Sequence, residues 1–266
     1  MTDLADRGAR TRGKQPGPRP RWLRARLVVL RSETRTARTL TFEVPGWPGH
    51  RAGQHLDMRL TAADGYSAQR AYSISAPADG EQVSVTVQQV RDGEVSPYLV
   101  EDMELGDELE VRGPIGGWFV WTPSPEAPVE QPVLLVGGGS GVVPLMAMVR
   151  ERARVGSRAP FRLVYSARDA DQVLYADELA QSATDDGLLV DLLYTRAAPD
   201  GTTRPPGRIT EADLATPPEA GLADRVAPRA YVCGPTAFVE HVIGRLLTLG
   251  YTNRTIRAER FGPSGG

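Results

Sequence analysis

The sequence predicts two domains of different class: an antiparallel β-barrel over residues 21–121, then a doubly wound parallel α/β sheet over residues 132–266. Three observations predict it. Six short runs with strand-like alternation, parted by Pro, Gly and Asp turns, follow Trp22 and suit a small antiparallel barrel. Beyond residue 132, compact apolar runs alternate with helix-like stretches, the order of a parallel sheet covered on both faces. Between the two, residues 122–131 (TPSPEAPVEQ) turn to Pro and Glu, as an interdomain linker does.

Composition narrows the class. A chain of 266 residues with 41% hydrophobic and 24% charged residues is long enough to bury two ordinary cores. A formal net charge of -2 gives no electrostatic attraction to nucleic acid or acidic lipid. No apolar run reaches the roughly 18 residues that span a bilayer. The single cysteine, Cys233, excludes an intrachain disulfide and any metal or cluster site built from several thiolates, and His50, His55 and His241 show no metal spacing. No metal ligands are expected. Residues 1–20 hold five basic and two acidic residues with no apolar periodicity, and read as a disordered tail rather than a signal peptide. The expectation is a cytoplasmic monomer without a nucleic-acid or membrane partner.

In the first domain the expected strands are RLVVL, RTLTFEV, HLDMRL, AYSIS, QVSVTVQQV and DELEVRG, with one short helix from Ser96 to about Met103. Within RAYSIS, residues 70–75, strand alternation puts Arg70 and Tyr72 on one face and Ala71, Ser73 and Ser75 on the other. A half-buried strand does not ordinarily place Arg and Tyr on its apolar side, so this face is a candidate site. In GEVS, residues 93–96, Ser96 before Pro97 reads as a helix cap and first helical residue, a start that offers N–H donors to an anion. Gly113 and Gly116 of GPIGGWF read as turn residues and Phe119 as core.

In the second domain PVLLV, FRLVY, LLVDLLY and AYVC are strands, and PLMAMVRERARV, YADELAQSA and AFVEHVIGRLLTLG are helices. The strongest local motif is the first junction, VLLVGGGSGVVPLMAMV. An apolar strand meets Gly137, Gly138, Gly139, Ser140 and Gly141, and Pro144 sits where a helix begins. Glycines let backbone approach a diphosphate, and the helix start supplies N–H groups and a favourable dipole. The spacing from Gly139 is G-x-G-x-x-P rather than the dinucleotide fingerprint G-x-G-x-x-G.

RAYSIS, GEVSPYL, GPIGGWF, GGGSGVVPLM, YSARDADQVLYADEL, VCGP and the ending ERF, in this order, resemble the ferredoxin-NADP reductase family of flavoproteins from about Trp22 to Gly262. The resemblance implies a barrel that holds FAD and a nucleotide domain that holds NADH or NADPH. It implies that Arg70 neutralises the FAD diphosphate, Tyr72 lies against the flavin ring and Ser73 bonds near flavin N5. It further implies FAD contacts from Val87, Gly93, Val95 and Ser96, and nucleotide contacts from Gly138, Gly139, Ser140 and Gly141. Cys233, with Gly234 and Pro235, would sit beside the nicotinamide carbon that gives up hydride. Glu259 would polarise or transfer a proton, and Phe261 would shield the ring. Ser73, Cys233 and Glu259 are thus the catalytic candidates. Family members often carry Lys or Arg after the valine of this strand, whereas Gln88 follows Val87 here.

Ser166 and Arg168, after the second strand of the nucleotide domain, are similar to NADP sites, with Arg196 and Arg208 as possible helpers; Asp169 keeps NAD open. The resemblance implies hydride transfer from NADPH to FAD, then electron delivery to an external partner such as a ferredoxin. With one cysteine and an end close behind Phe261, the chain is expected to lack the fused two-iron module of some relatives. A free-flavin reductase and a non-catalytic nucleotide-binding regulatory subunit are the alternatives.

Overall fold

The computed structural model describes residues 21–123, 131–182, 187–215 and 228–262. The expected tail over residues 1–20 and most of the expected linker lie outside the described residues.

The first domain is a six-stranded antiparallel sheet of β1 (Leu23–Thr34), β2 (Ala37–Glu43), β3 (His55–Thr61), β4 (Ser67–Ser73), β5 (Gln82–Gln88) and β6 (Glu108–Ile115), in the order β4-β3-β6-β1-β2-β5. Alternate residues point inward: Leu40 and Phe42, Leu56 and Met58, Val83, Val85 and Val87 are buried in one core. The two edge strands meet past the end of β4, where Ile74 bridges Val85 and the Ser75 N–H donates to the Ser84 carbonyl at 2.8 Å. That contact closes the sheet into a barrel. The helix expected from Ser96 is a single π turn, Tyr98–Asp102, whose Leu99 and Val100 are buried against the barrel core.

The second domain follows the strand and helix order that its apolar runs dictate. It comprises β7 (Val133–Gly138), α1 (Val142–Arg154), β8 (Phe161–Ala167), α2 (Ala176–Ser182), β9 (Leu188–Tyr194), α3 (Glu211–Leu214), β10 (Arg229–Pro235), α4 (Thr236–Thr248) and β11 (Ile256–Phe261). All strands are parallel, in the order β11-β10-β7-β8-β9. Successive residues of β7 serve opposite faces: Leu135 packs with α1, whereas Leu134 and Val136 pack with α4. Strand order reverses at β7, which puts a crevice at the carboxyl ends of β7 and β10, the usual nucleotide position in such sheets. The short α3 and the edge strand β11 were not among the expected elements; α3 is set by a capping box between Thr210 and Asp213.

The two domains share a core. Ala37, Ala52, Phe119 and Trp121 of the first domain are buried with α1, Tyr231 and Cys233 of the second. Burial of an aromatic such as Phe119 contributes about 1.5–3 kcal/mol, so separating the domains is costly. Gly53 (φ +97°) lies where they touch: a Cβ there would stand 1.9 Å from the Phe119 carbonyl oxygen and 2.7 Å from Met148 Cε. Among the described residues no helix is long and apolar enough to cross a membrane.

Candidate active site

On the barrel side, β4 carries Arg70, Tyr72 and Ser73, and the loop before the π turn carries Gly93, Val95 and Ser96. The structure brings these two segments together through a contact the sequence had not indicated. Arg70 Nη2 lies 3.4 Å from Glu94 Oε2, and the Tyr66 hydroxyl donates to Glu94 Oε1 at 2.8 Å. The Arg70 guanidinium is about half exposed, so this pair contributes little to stability and leaves the cation open to a stronger anion. Tyr72 is half-buried, and burial pushes its phenol well above the ordinary range. Gly93 is tightly placed: a Cβ there would stand 3.1 Å from the Val90 carbonyl oxygen and 3.2 Å from Ser96 Oγ.

One expectation for this half is corrected. Ser96 does not cap its own helix; it is buried, and its Oγ accepts the Val90 N–H at 3.0 Å across the loop. Val87 and Val95 are packed into the barrel core, at 0% and 1% exposure.

On the nucleotide side, β7 runs through Gly138 into a turn at Gly139–Gly141 and then α1. These glycines do different work. Gly139 has φ +56° and nothing within 4 Å of a Cβ position, so it is the open, left-handed position of the turn. Gly141 faces inward: a Cβ there would lie 2.1 Å from the Cys233 carbonyl oxygen. Gly138 and Gly234 make room for the Phe238 ring, each with a Cβ position under 3 Å from it. Gly141 and Gly234 therefore let β10 approach the turn, placing Cys233 beside it. No side chain caps α1; the Val142 N–H turns back onto the Gly139 and Ser140 carbonyls and Pro144 has none, so any anion here would be met by the glycine turn rather than by the first N–H groups of the helix.

Cys233 and Glu259 are neighbours in register on β10 and β11, and Pro235 pairs likewise with Phe261. Burial, with Glu259 close by, pushes the Cys233 thiol far up, so it is a neutral thiol at neutral pH. Burial likewise raises the Glu259 carboxyl to about 7. The pair is thus uncharged well below that pH. Phe261 is 38% exposed at the end of β11. Burial also lowers His55, which pairs with Ser73 across β3 and β4.

At the far edge, Ser166 is 6% exposed inside β8 and pairs with Gly138 and Leu193. Arg168 follows β8 and is exposed, and its carbonyl accepts the Arg196 N–H at 2.9 Å, which sets the two arginines side by side. Arg208 is held away by its own carbonyl bond from Arg204. Asp169 Oδ1 is buried and has no hydrogen-bond partner in the protein.

The donor set fits the two expected groups. An exposed arginine, a half-buried tyrosine and a glycine-lined loop match a flavin dinucleotide, and an open positive-φ glycine before an uncapped helix matches a nucleotide diphosphate.

Comparisons with known proteins agree. Residues 25–120 match the model of an oxidoreductase FAD-binding domain and residues 135–243 that of an oxidoreductase NAD-binding domain. A ferredoxin-NADP reductase B of Sorangium cellulosum is 31% identical over 89% of this chain and 96% of its own length. A 1,2-phenylacetyl-CoA epoxidase component from Escherichia coli is 29% identical over 90% of this chain and 67% of its own length. The flavohem-like FAD/NAD-binding domain of a nitric oxide dioxygenase from Vibrio cholerae superposes with a TM-score of 0.77 at 24% identity, covering 91% of this chain and 99% of that one. The chain spans 52–67% of the length of three of the curated relatives it matches.

Proposed function

The chain belongs to the ferredoxin-NADP reductase family of FAD- and NAD(P)-binding oxidoreductases, and from that premise we propose that it takes hydride from NADPH onto bound FAD and passes electrons to a separate redox protein. The observation that carries this reading is the register pair of buried Cys233 with half-buried Glu259, set beside an open glycine turn. FAD, when bound, supplies the ability to accept two electrons together and release them singly.

The chain's own residues do the rest. Arg70 holds the FAD diphosphate, in exchange for its exposed contact with Glu94. Tyr72 offers its ring face to the flavin, and Ser73 orients the reacting edge. The backbone of the Gly139–Gly141 turn ahead of α1 binds the nucleotide diphosphate. Cys233 presents a neutral thiol to the nicotinamide, which excludes water from the transfer path without adding charge. Glu259 can hold or release a proton near neutral pH at its carboxyl oxygens. Phe261 covers the open face at the end of β11.

NADPH is preferred on this reading because Arg168 and Arg196 stand exposed together at the edge of the sheet. The unpartnered Asp169 oxygen favours a second reading, NADH held through its ribose hydroxyls. The relatives include an epoxidase component and a ferredoxin reductase component of a monooxygenase, which supports a ferredoxin or oxygenase component as acceptor. The test is the absorbance of the purified full chain before and after anaerobic NADPH. A bound flavin spectrum that bleaches supports the reading; a colourless protein that neither binds FAD nor bleaches overturns it.

A further inference from the structure

Two polar ties cross from the nucleotide domain to the place where the barrel closes, and neither belongs to the site above. The first is Arg150 on α1. Its Nε donates to Glu178 Oε1 at 2.8 Å and its Nη2 to Glu178 Oε2, while Nη1 donates to the backbone carbonyl of Ser75 in the other domain. Its guanidinium also stacks 4.5 Å from the centroid of the Tyr175 ring.

The second tie is Tyr175 itself, 2% exposed and held at φ 60°, a conformation a bulky residue seldom adopts. Its hydroxyl donates to Thr86 Oγ1 on β5 at 2.5 Å. From there a chain of hydroxyls continues: Thr86 Oγ1 to Thr39 Oγ1 at 2.8 Å, and Thr39 Oγ1 to Glu33 Oε1 at 2.6 Å. Each hydroxyl has one proton, and the Glu33 carboxylate only accepts. Thr39 therefore donates to Glu33, Thr86 to Thr39 and Tyr175 to Thr86. The direction is fixed along the whole chain, and it ends on a Glu33 side chain that is 4% exposed.

Both ties land on the same feature. Ser75 lies two residues past Ser73, and its N–H bonds the Ser84 carbonyl two residues before Thr86. At the other end, Arg150 lies eight residues beyond Val142, roughly 12 Å along α1 from the diphosphate turn. The strand proposed to meet the flavin and the helix behind the turn proposed to meet the nucleotide are thus joined by one buried bond, Tyr175 to Thr86, and by the part-buried fork of Arg150.

We propose that Arg150 and Tyr175 are positioning residues, which lock α1 and α2 onto the β4–β5 closure and so set the gap across which hydride passes. This rests on the function proposed above. A misplacement of about 1 Å can slow a positioned reaction on the order of a hundredfold, so a partly loosened seam is expected to slow hydride transfer roughly tenfold.

The test uses FAD-loaded full chain with Tyr175→Phe, Thr86→Val and the double variant. Tyr175→Phe keeps the ring under Arg150, and Thr86→Val keeps the shape of its partner. Each single variant is expected to retain FAD and the NADPH dissociation constant, yet to reduce its flavin roughly tenfold more slowly at saturating nucleotide. The double variant is expected to be no slower than Thr86→Val, which already removes the Tyr175 bond together with the one to Thr39. Amide exchange of β5 and α2 peptides, measured without nucleotide, is expected to rise in all three. Wild-type rates and unchanged exchange in the single variants would overturn the inference, as would additive losses in the double. A wild-type chain that fails to reduce FAD with NADPH or NADH sinks the proposed function instead, and the exchange measurement still decides whether the seam is held by this bond. Arg150→Lys, which keeps the charge but not the three-armed fork, is expected to slow reduction at least as much.

Discussion

Removing the carboxyl of Glu259 should remove a defined pH dependence of stability. Burial raises this carboxyl from 4.5 to about 7. Between those values the folded chain holds a proton that the unfolded chain has released, so stability falls as pH rises. The contribution is complete below pH 4.5 and lost by the time pH has risen through 7. At 1.36 kcal/mol per unit the full effect is about 3 kcal/mol, and residual exposure of the side chain reduces it to roughly 2–3 kcal/mol. For a domain pair of this size that is a shift of about 5–10 °C in Tm. Glu259→Gln is neutral in both states and should lack the term altogether.

The assay is thermal unfolding of FAD-loaded wild type and Glu259→Gln at pH 5 and pH 8.5. His50 and His55, both lowered by burial, oppose the trend, because their contribution is present above pH 6.5 and lost as pH falls. They are common to both proteins, so the quantity to compare is the difference between the two Tm shifts. Wild type should lose 5–10 °C more than the variant on going from pH 5 to pH 8.5 (about 2–3 kcal/mol). Equal shifts would mean that the carboxyl is solvated and has no raised affinity for a proton.

Three further outcomes are expected. Arg70→Ala should yield protein with little FAD while the nucleotide domain stays folded, because a charge-assisted phosphate bond of about 1.5–3 kcal/mol is lost; flavin content after gel filtration measures it, and wild-type occupancy would contradict it. Cys233→Ala should slow anaerobic flavin reduction with FAD content unchanged; stopped-flow absorbance at saturating nucleotide reads the rate, and an unaltered rate returns the thiol to core packing. Arg168→Ala should lower kcat/KM for NADPH roughly ten- to hundredfold and leave that for NADH nearly constant, whereas a wild-type preference for NADH would favour Asp169 as the ribose acceptor.

Much of the fold was legible because its pattern is local. The alternation in RTLTFEV and HLDMRL gives β2 and β3, and the apolar run PVLLV before glycines gives β7 and the turn into α1. Elements stabilised by partners distant in sequence were not. Edge strand β11 forms because β10 offers it a parallel ladder from Ala230 to Pro235, and only four residues of α3 are helical, held by its Thr210–Asp213 cap and the ion pair from Arg204. Valines in a quoted motif invite a binding role, yet Val87 and Val95 point into the barrel, a direction that motif spacing does not encode.

The same limit explains why the two halves of the site were found separately and their connection was not. Strand alternation marks Arg70 and the strand–glycine–helix order marks the turn, whereas Cys233 is singled out only by the family resemblance. Nothing in YADEL distinguishes a tyrosine that stacks within its own helix from one that crosses to Thr86, and nothing in VRERARV separates Arg150 from the exposed Arg154. What separates them is burial. Arg154 pairs on the surface three residues from Glu151 and is solvated, so its loss should matter little. Arg150 is mostly covered between two domains, 20% exposed, with every arm engaged. Its partners come from residues 75 and 178, one in each domain, so on the inference above the set of bonds that holds Arg150 is also the one that ties α1 to the barrel closure.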